Sequence, residues 1–498
     1  MAINFVFHDY ETFGKETQGA SSQWAAVRTD ENFKTLETHN VFCKITDDVV
    51  PDPEACMVTK VTPQVTLEKG MPEYEFAHYI NNVFTAKWET VCVGYNSIGF
   101  DDEVSRHLLY RNLIDPYKWA YDKKNTRFDA LPLMRIIHAL KPECFNWPVV
   151  DKVLDTGETV KRISFKLEHL SAENGIVHEN AHDALSDVYA LAEVMKLAKE
   201  RAPEIFNQFF QLKNKWNVKN LVEGDKPMLG LCNFRFVDSN YISPVSVLGV
   251  STKSANKYYT WNLQVDPRPF AEMSKERLAE VITFNKEQRD AEGTPRSGMV
   301  SVKINEVPFI FDVSELKGEP LSRAGLTERR NEMFENGLFL ANNPEFKQML
   351  REVYDERQYE ERAVDTDTSL YDQTHGGFFT DLEKPFIESF KNAITWAEKA
   401  NIMETTPDGR ICEMMFRIIG RNSVGDLENG AVNEKWRDYL RSRILDGSTP
   451  NAFVTLSQLK ETLSSDEFLE KFTGDEVNEK VIADLTAYVD VLNARVTA

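Results

Sequence analysis

The chain opens on short runs with strand-type alternation. Residues 3–9 read as a strand that ends in two polar positions, and residues 24–29 and 35–44 read as the next strands of a meander. Thr62-Pro63 predicts a short helix, with Thr62 as its cap and Pro63 in its first turn. Residues 73–84 carry a second helical pattern. Residues 90–95 (TVCVGY) form a buried-type strand, followed by a Gly/Asn turn and a helix from about Asp101. Further helices are expected around 128–140 and 166–174. The clearest helix follows Ala181: Ala184, Leu185, Val188, Leu191, Ala192, Met195 and Ala198 recur at steps of three and four, a stripe that faces a core. Strands first and helices interleaved later predict an α/β domain over residues 1–200.

Arg201-Ala202-Pro203 breaks that pattern. Strand-type runs such as 258–263 and 299–311, with a polar helical insert at 274–289 between them, predict a smaller β-rich domain over residues 201–355. From about Asn342 to the end the pattern is almost entirely helical, interrupted by a loop at 365–377 that leads into Gly376-Gly377-Phe378-Phe379, and residues 356–498 are expected to form a helical C-terminal domain. No internal repeat or low-complexity tract is present.

A length of 498 residues suits two or three such domains. Apolar residues make up 42% and charged residues 28%, as in an ordinary globular protein, and no apolar stretch is long enough to span a membrane. The N-terminus lacks the basic and long apolar regions of a signal peptide. Six scattered cysteines (Cys43, Cys56, Cys92, Cys144, Cys232, Cys412) form no C-x-x-C pair, so reduced thiols of a cytoplasmic protein are expected rather than zinc ligands or disulfides. A net charge of −21 argues against a protein that simply coats phosphates. Its distribution changes the picture, because residues 201–350 hold 20 basic against 19 acidic side chains. Lys213, Lys215, Lys219 and Lys226 stand near the start of that segment, and a local basic lining of this kind can hold a polyanion.

Three motifs carry candidate chemistry. Asp9 and Glu11 lie two residues apart at the end of the first strand, so both carboxylates face one side and repel unless a cation lies between them. Gly94-Tyr95-Asn96-Ser97-Ile98-Gly99-Phe100-Asp101 runs from a strand through a turn to an acid at a helix start. His182-Asp183-Ala184-Leu185-Ser186-Asp187 sets a histidine five residues before an acid on the striped helix. Taken singly, these are ordinary surface acids, a helix cap and a structural histidine. Oxygen ligands without a Cys/His cluster favour Mg²⁺ or Mn²⁺.

Taken together and in this order, Asp9, Glu11, Asp101, His182 and Asp187 resemble the DEDD exonuclease superfamily in its histidine-bearing branch. Phe7-His8-Asp9-Tyr10-Glu11-Thr12-Phe13-Gly14, Asn146-Trp147-Pro148, Leu167-Glu168-His169-Leu170 and Asn180-Ala181-His182-Asp183-Ala184 narrow the resemblance to bacterial exonuclease I. It is dense over residues 1–200, thin through Asn214-Lys215 and Lys226-Pro227, and returns at Gly377-Phe378-Phe379 and Arg421-Asn422. The resemblance implies a ribonuclease-H-like exonuclease domain, an SH3-like domain and an all-α C-terminal domain around a single-strand channel. It implies Mg²⁺-dependent release of 5′-mononucleotides from the 3′ end of single-stranded DNA, in repair and recombination, by a monomer. Two ions are expected, with Mn²⁺ able to substitute. Asp9 would bridge both, Glu11 and Asp187 would help hold one, and Asp101 would hold the other mainly through water. His182 would take the proton of the attacking water. Glu11, Lys166, Arg106, Tyr117, Arg135 and Lys215 match positions that touch the DNA, and Trp119, Tyr121 and Trp147 are further aromatic candidates. Lys226 matches a position that receives the acidic tail of the single-stranded-DNA-binding protein.

The sequence also departs from the family pattern. The stretch 149–163 is longer, Lys166 stands where an arginine is expected, and Ile419 and Ser423-Val424 replace more basic and aromatic-proline positions. Three competing readings are an RNA-directed relative, a polymerase-attached proofreading nuclease and a catalytically dead strand-binding module. The 300 residues beyond the nuclease domain, the lack of a polymerase-like segment and the intact acids argue against them in turn.

Overall fold

The computed structural model describes residues 3–154, 157–178, 183–224, 226–316, 318–323, 326–357, 365–372, 376–407, 409–423, 430–446 and 454–497. The chain divides into two compact units, one of Met1–Thr126, His178–Ala192 and Arg362–Ala498, the other of Arg127–Val177 and Glu193–Glu361.

In the first unit β1 (Asn4–Thr12) is central. It pairs antiparallel with β2 (Ser21–Thr29) and parallel with β4 (Thr90–Gly94), and β3 (Thr35–Phe42) pairs antiparallel with β2. Every residue of β2 and β4 is buried, which is why β4 reads as a continuous run of mostly apolar residues. Helix Glu73–Thr85 covers the sheet with Phe76, Ala77, Ile80 and Phe84, which pack with Val6, Trp24 and Trp119 in one core cluster. A second cluster joins Phe13, Met57, Tyr74 and Tyr110 to Ile387, Met414, Ile418, Trp436, Leu485 and Tyr488 of the helical C-terminal third.

Pro63–Lys69 is a helix capped by Thr62, as expected. Another short helix, Pro53–Thr59, precedes it, with the Asp52 side chain accepting from the Glu54 amide. The pattern at 128–140 begins later than expected. Phe128 lies in strand β5 (Thr126–Asp129), and the helix is Ala130–Leu140, because the Asp129 carboxylate accepts from the Leu131 amide and caps it.

The second unit holds an antiparallel five-stranded sheet in the order β11-β10-β9-β8-β12. Its strands are β8 (Leu229–Cys232), β9 (Ile242–Val250), β10 (Lys257–Asn262), β11 (Met299–Lys303) and β12 (Ile310–Asp312). The run 299–311 is split between two strands; Val307, with φ of 49°, and Pro308 stand in the turn between them. The polar insert forms two helices, Lys275–Val281 and Lys286–Glu292, separated at Asn285, which caps the second in a reciprocal box with Gln288. The long stretch 149–163 is a two-stranded hairpin, β6 (Val149–Val153) and β7 (Thr159–Ile163). Among the described residues no helix is long and apolar enough to cross a membrane.

Candidate metal centre

Three carboxylates converge at the end of β1. Ligand atoms of Asp9, Glu11 and Asp187 all lie within 4.8 Å of one another. Asp9 stands opposite Ala25 and Glu11 opposite Gln23 on β2, and the register shifts directly after Glu11. Two residues apart on one strand, the two acids share a side of it, opposite uncharged residues of β2.

Asp187 arrives from the start of helix Ala184–Arg201. The Asp183 side chain accepts from the Ser186 amide at 3.2 Å, and the Asp187 amide donates to the Asp183 carbonyl at 3.0 Å, so Asp183 begins the helix and fixes where Asp187 emerges. Gln23 donates to Asp183 at 3.2 Å and to Asn40 at 2.9 Å, which ties this helix start to β2 and β3.

Asp101 is buried next to the three acids but outside their group. One of its oxygens accepts from the Tyr10 amide at 3.1 Å. Its position follows from the turn before it. A Cβ on Gly94 would stand 2.3 Å from that of Ser97, and Asn96 adopts a left-handed φ of 62°, so the chain turns tightly out of β4. Ser105 then donates to the Tyr10 hydroxyl at 3.0 Å and clamps helix Asp101–Arg111 onto β1.

The electrostatics of this cluster are those of a cation site. Burial raises the Asp9 carboxyl well above its usual range, and the charges of Asp101, Glu11, Asp187 and Asp183 raise it further. Glu11 is raised by burial and then by Asp187, Asp101 and Asp183. Hard oxygen donors crowded until they resist ionisation fit one or more divalent cations, and among the described residues no other group of this kind occurs.

His182 lies outside the described residues. A second histidine, absent from the sequence-derived set, does reach the acids: His178 Nε2 hydrogen-bonds Asp187 Oδ1, and the His178 side chain is only 3% exposed. His8 is fully buried beside Asp102, and burial lowers its pKa to about 4, with the Asp102 charge opposing.

The other candidates fall into both units. In the first, the Arg106 guanidinium lies 5.2 Å from the centre of the Tyr117 ring, pairs with Glu103 and donates to the Tyr371 hydroxyl at 3.2 Å. Trp119 is fully buried, with its indole N–H on the Pro116 carbonyl, so it is a core residue and not a strand contact. Tyr121 is 62% exposed. In the second unit the Arg135 guanidinium covers the Tyr241 ring at 4.7 Å. Lys166 is exposed and pairs with Glu168 at 3.1 Å. Lys215 and Lys219 flank the exposed Trp216, with ammonium groups 5.4 and 5.5 Å from its ring centre. Trp147 is half-buried against His138, Phe145 and Phe165. Lys226 pairs with Asp312 at 2.6 Å on the wall of a cavity of about 440 Å³, which Leu321, Leu326, Arg330, Met333 and Phe334 also line.

Three family models match the chain in succession: exonuclease over residues 6–195, exonuclease I SH3-like domain over 213–356 and exonuclease I C-terminal domain over 364–492. Exodeoxyribonuclease I of Escherichia coli (strain K12) is 33% identical over 445 residues, covering 88% of this chain and 89% of that protein. The Haemophilus influenzae protein of the same name is 31% identical over 449 residues, covering 89% and 91%. Among solved structures, E. coli exonuclease I in complex with a dA16 oligonucleotide superposes with a TM-score of 0.86 at 30% identity, covering 98% of this chain and 100% of that one. The zinc-ion-bound form of the E. coli enzyme with single-stranded DNA gives 0.86 at 30% identity, with coverage of 99% and 100%. A complex of SSB and exonuclease I with the inhibitor CFAM gives 0.83 at 29% identity, with coverage of 99% and 100%. Matches that run almost end to end, in the order of all three domains and with the acid cluster in the first, make this chain a member of the exonuclease I family, an exodeoxyribonuclease.

Proposed function

We propose that the chain hydrolyses single-stranded DNA from its 3′ end, one 5′-mononucleotide at a time, with Mg²⁺ as its working cation and Mn²⁺ as a substitute. The observation that carries this reading is the convergence of Asp9, Glu11 and Asp187 within 4.8 Å, with Asp101 beside them. Divalent cations bound there supply charge relief on the phosphate, an acidified water and stabilisation of the leaving oxygen. The chain's own part would be to hold them: Asp9, Glu11 and Asp187 would be the direct ligands, and Asp101, with one oxygen already taken by the Tyr10 amide, would act at one remove. Glu11 also borders the space where the terminal nucleotide lies. His182 receives the proton of the attacking water.

In this reading Arg106 and Tyr117 in the first unit, and Arg135, Lys166 and Lys215 in the second, are each contacts of the strand. Arg106 already has Glu103 as a partner, which favours a role in presenting the Tyr117 ring over that of a free phosphate clamp. Lys215 and Lys219 beside Trp216 combine charge with a stacking face, the pair of features that holds a single strand without sequence preference. The cavity at Lys226 combines Lys226 and Arg330 with apolar walls and suits an acidic, partly apolar peptide end, such as the tail of the single-stranded-DNA-binding protein. We assign residues 1–200, 201–355 and 356–498 to the exonuclease, SH3-like and helical domains of a cytoplasmic monomer that serves repair and recombination. Six scattered cysteines with no C-x-x-C pair fit a reducing compartment.

The test is digestion of a 5′-labelled single-stranded DNA oligomer. Shortening from the 3′ end with Mg²⁺ and none with EDTA is expected. Equal cleavage in EDTA, or preference for an RNA oligomer, would remove the proposal.

A further inference from the structure

Asp187 is the one member of the three-acid group that comes from outside the sheet, and its carboxylate has a histidine neighbour. His178 stands nine residues before Asp187, and its Nε2 hydrogen-bonds Asp187 Oδ1. The contact is shielded, with the histidine side chain 3% and the aspartate side chain 18% exposed. His178 Nδ1 is buried and has no partner among the described residues. A neutral imidazole in these surroundings keeps its hydrogen on Nε2, where a carboxylate accepts it, and leaves the bare nitrogen at Nδ1.

A carboxylate set among other carboxylates is pushed away from them, and a short aspartate side chain turns easily about its last bond. A hydrogen bond from a buried ring opposes both motions. It fixes the rotation of the carboxyl group and draws part of its charge away from Asp9 and Glu11. Groups that bond the ligands of a metal from behind commonly act in this way, and losing one costs roughly 10- to 100-fold in metal affinity or activity.

We infer that His178 is a positioning residue of the metal centre, holding Asp187 in the orientation that receives the cation beside Asp9 and Glu11. The inference rests on the metal-centre reading above. It assigns His178 a task separate from that of His182: metal affinity for the first, proton transfer for the second.

The experiment uses the full chain with His178→Ala, His178→Gln and Asp187→Asn. Mn²⁺ binding is measured by calorimetry without DNA, and single-stranded oligomer binding is measured in EDTA. His178→Ala is expected to weaken Mn²⁺ binding about 10- to 100-fold and to raise the half-saturating Mg²⁺ concentration by a similar factor. The maximal rate should recover in large part at high Mg²⁺, and oligomer binding in EDTA should be unchanged. His178→Gln, whose amide donates from a similar place, should restore much of the loss. If Asp187→Asn abolishes Mn²⁺ binding while His178→Ala stays within about twofold of wild type, the role of His178 is refuted and the metal centre stands. A His178→Gln variant as impaired as His178→Ala also refutes it. If Asp187→Asn binds Mn²⁺ normally, the metal-centre reading itself is wrong, and this inference goes with it.

Discussion

Asp9 and Glu11 share a face of β1 because alternate residues of a strand do, and that much is readable from two letters spaced by one. Asp187 joins them through the start of a helix whose apolar stripe is equally readable. His178 and Asp183 were not recognisable, because what distinguishes them is a contact and not a pattern: a hydrogen bond to Asp187 in one case, a helix start tied to Gln23 in the other. Trp119 failed in the opposite direction, since an aromatic letter near charged residues does not reveal that its ring is fully buried. Asp9 is the acid most crowded by others, with burial and four neighbouring carboxylates acting on it. Asp9→Ala is therefore expected to leave less than about a tenth of the wild-type rate at saturating Mg²⁺ while single-strand binding largely survives, as measured by single-turnover cleavage and a binding titration. His182→Ala should slow cleavage by roughly 10²–10⁴ without weakening binding, the usual scale for a lost general base. Normal cleavage with an unchanged pH profile would make His182 structural.

At the scale of elements, the stripe on helix Ala184–Arg201 and the Thr62-Pro63 start were plain, since each depends on neighbours within one or two turns. The break between Phe128 and Ala130, and the division of 299–311 into two strands, depend on a capping acid and a positive-φ turn that periodicity does not record. The least readable feature joins elements far apart in sequence. Arg421, on helix Arg410–Ser423, pairs with Asp48 at 2.8 Å and with Asp367 on the turn Thr366–Tyr371. Burial is the largest single influence on Asp48 and Asp367 and opposes their ionisation, but the charge and hydrogen bonds of Arg421, joined by Arg443 and Thr46 at Asp48 and by Arg417 and Arg111 at Asp367, together hold both carboxyls below their usual range. Groups lowered in this way stabilise the fold fully above the ordinary aspartate range near 4, and the contribution is lost as the pH falls below it. Removing the cation takes from buried Asp48 its paired guanidinium and leaves Asp367 with Arg417 alone as an ion-pair partner among the described residues. Arg421→Met is expected to cost about 3–5 kcal/mol near neutral pH and to flatten the fall in stability below about pH 4, as followed by denaturant unfolding across that range.

For the whole molecule, the charge distribution and the three-part pattern gave the domain order without revealing how the first and last thirds of the chain share a core. Phe13, Met57, Tyr74 and Tyr110 pack in one cluster with Ile387, Met414, Ile418 and Trp436. Such a core needs contacts across hundreds of residues, which no local pattern encodes. A fragment ending at residue 200 would leave that face bare, so affinity and processivity are properties to measure on the full chain. The central claim is stepwise removal of nucleotides from the 3′ end of a single strand by a cation-dependent centre. It is tested most directly with a long single-stranded DNA labelled differently at its two ends, digested with Mg²⁺ after addition of excess unlabelled strand as a trap. The predicted result is immediate loss of the 3′ label as a mononucleotide, retention of the 5′ label until the products are very short, few intermediates, a stall near duplex and no reaction in EDTA. Early release of the 5′ label, internal fragments or unchanged cleavage in EDTA would contradict it.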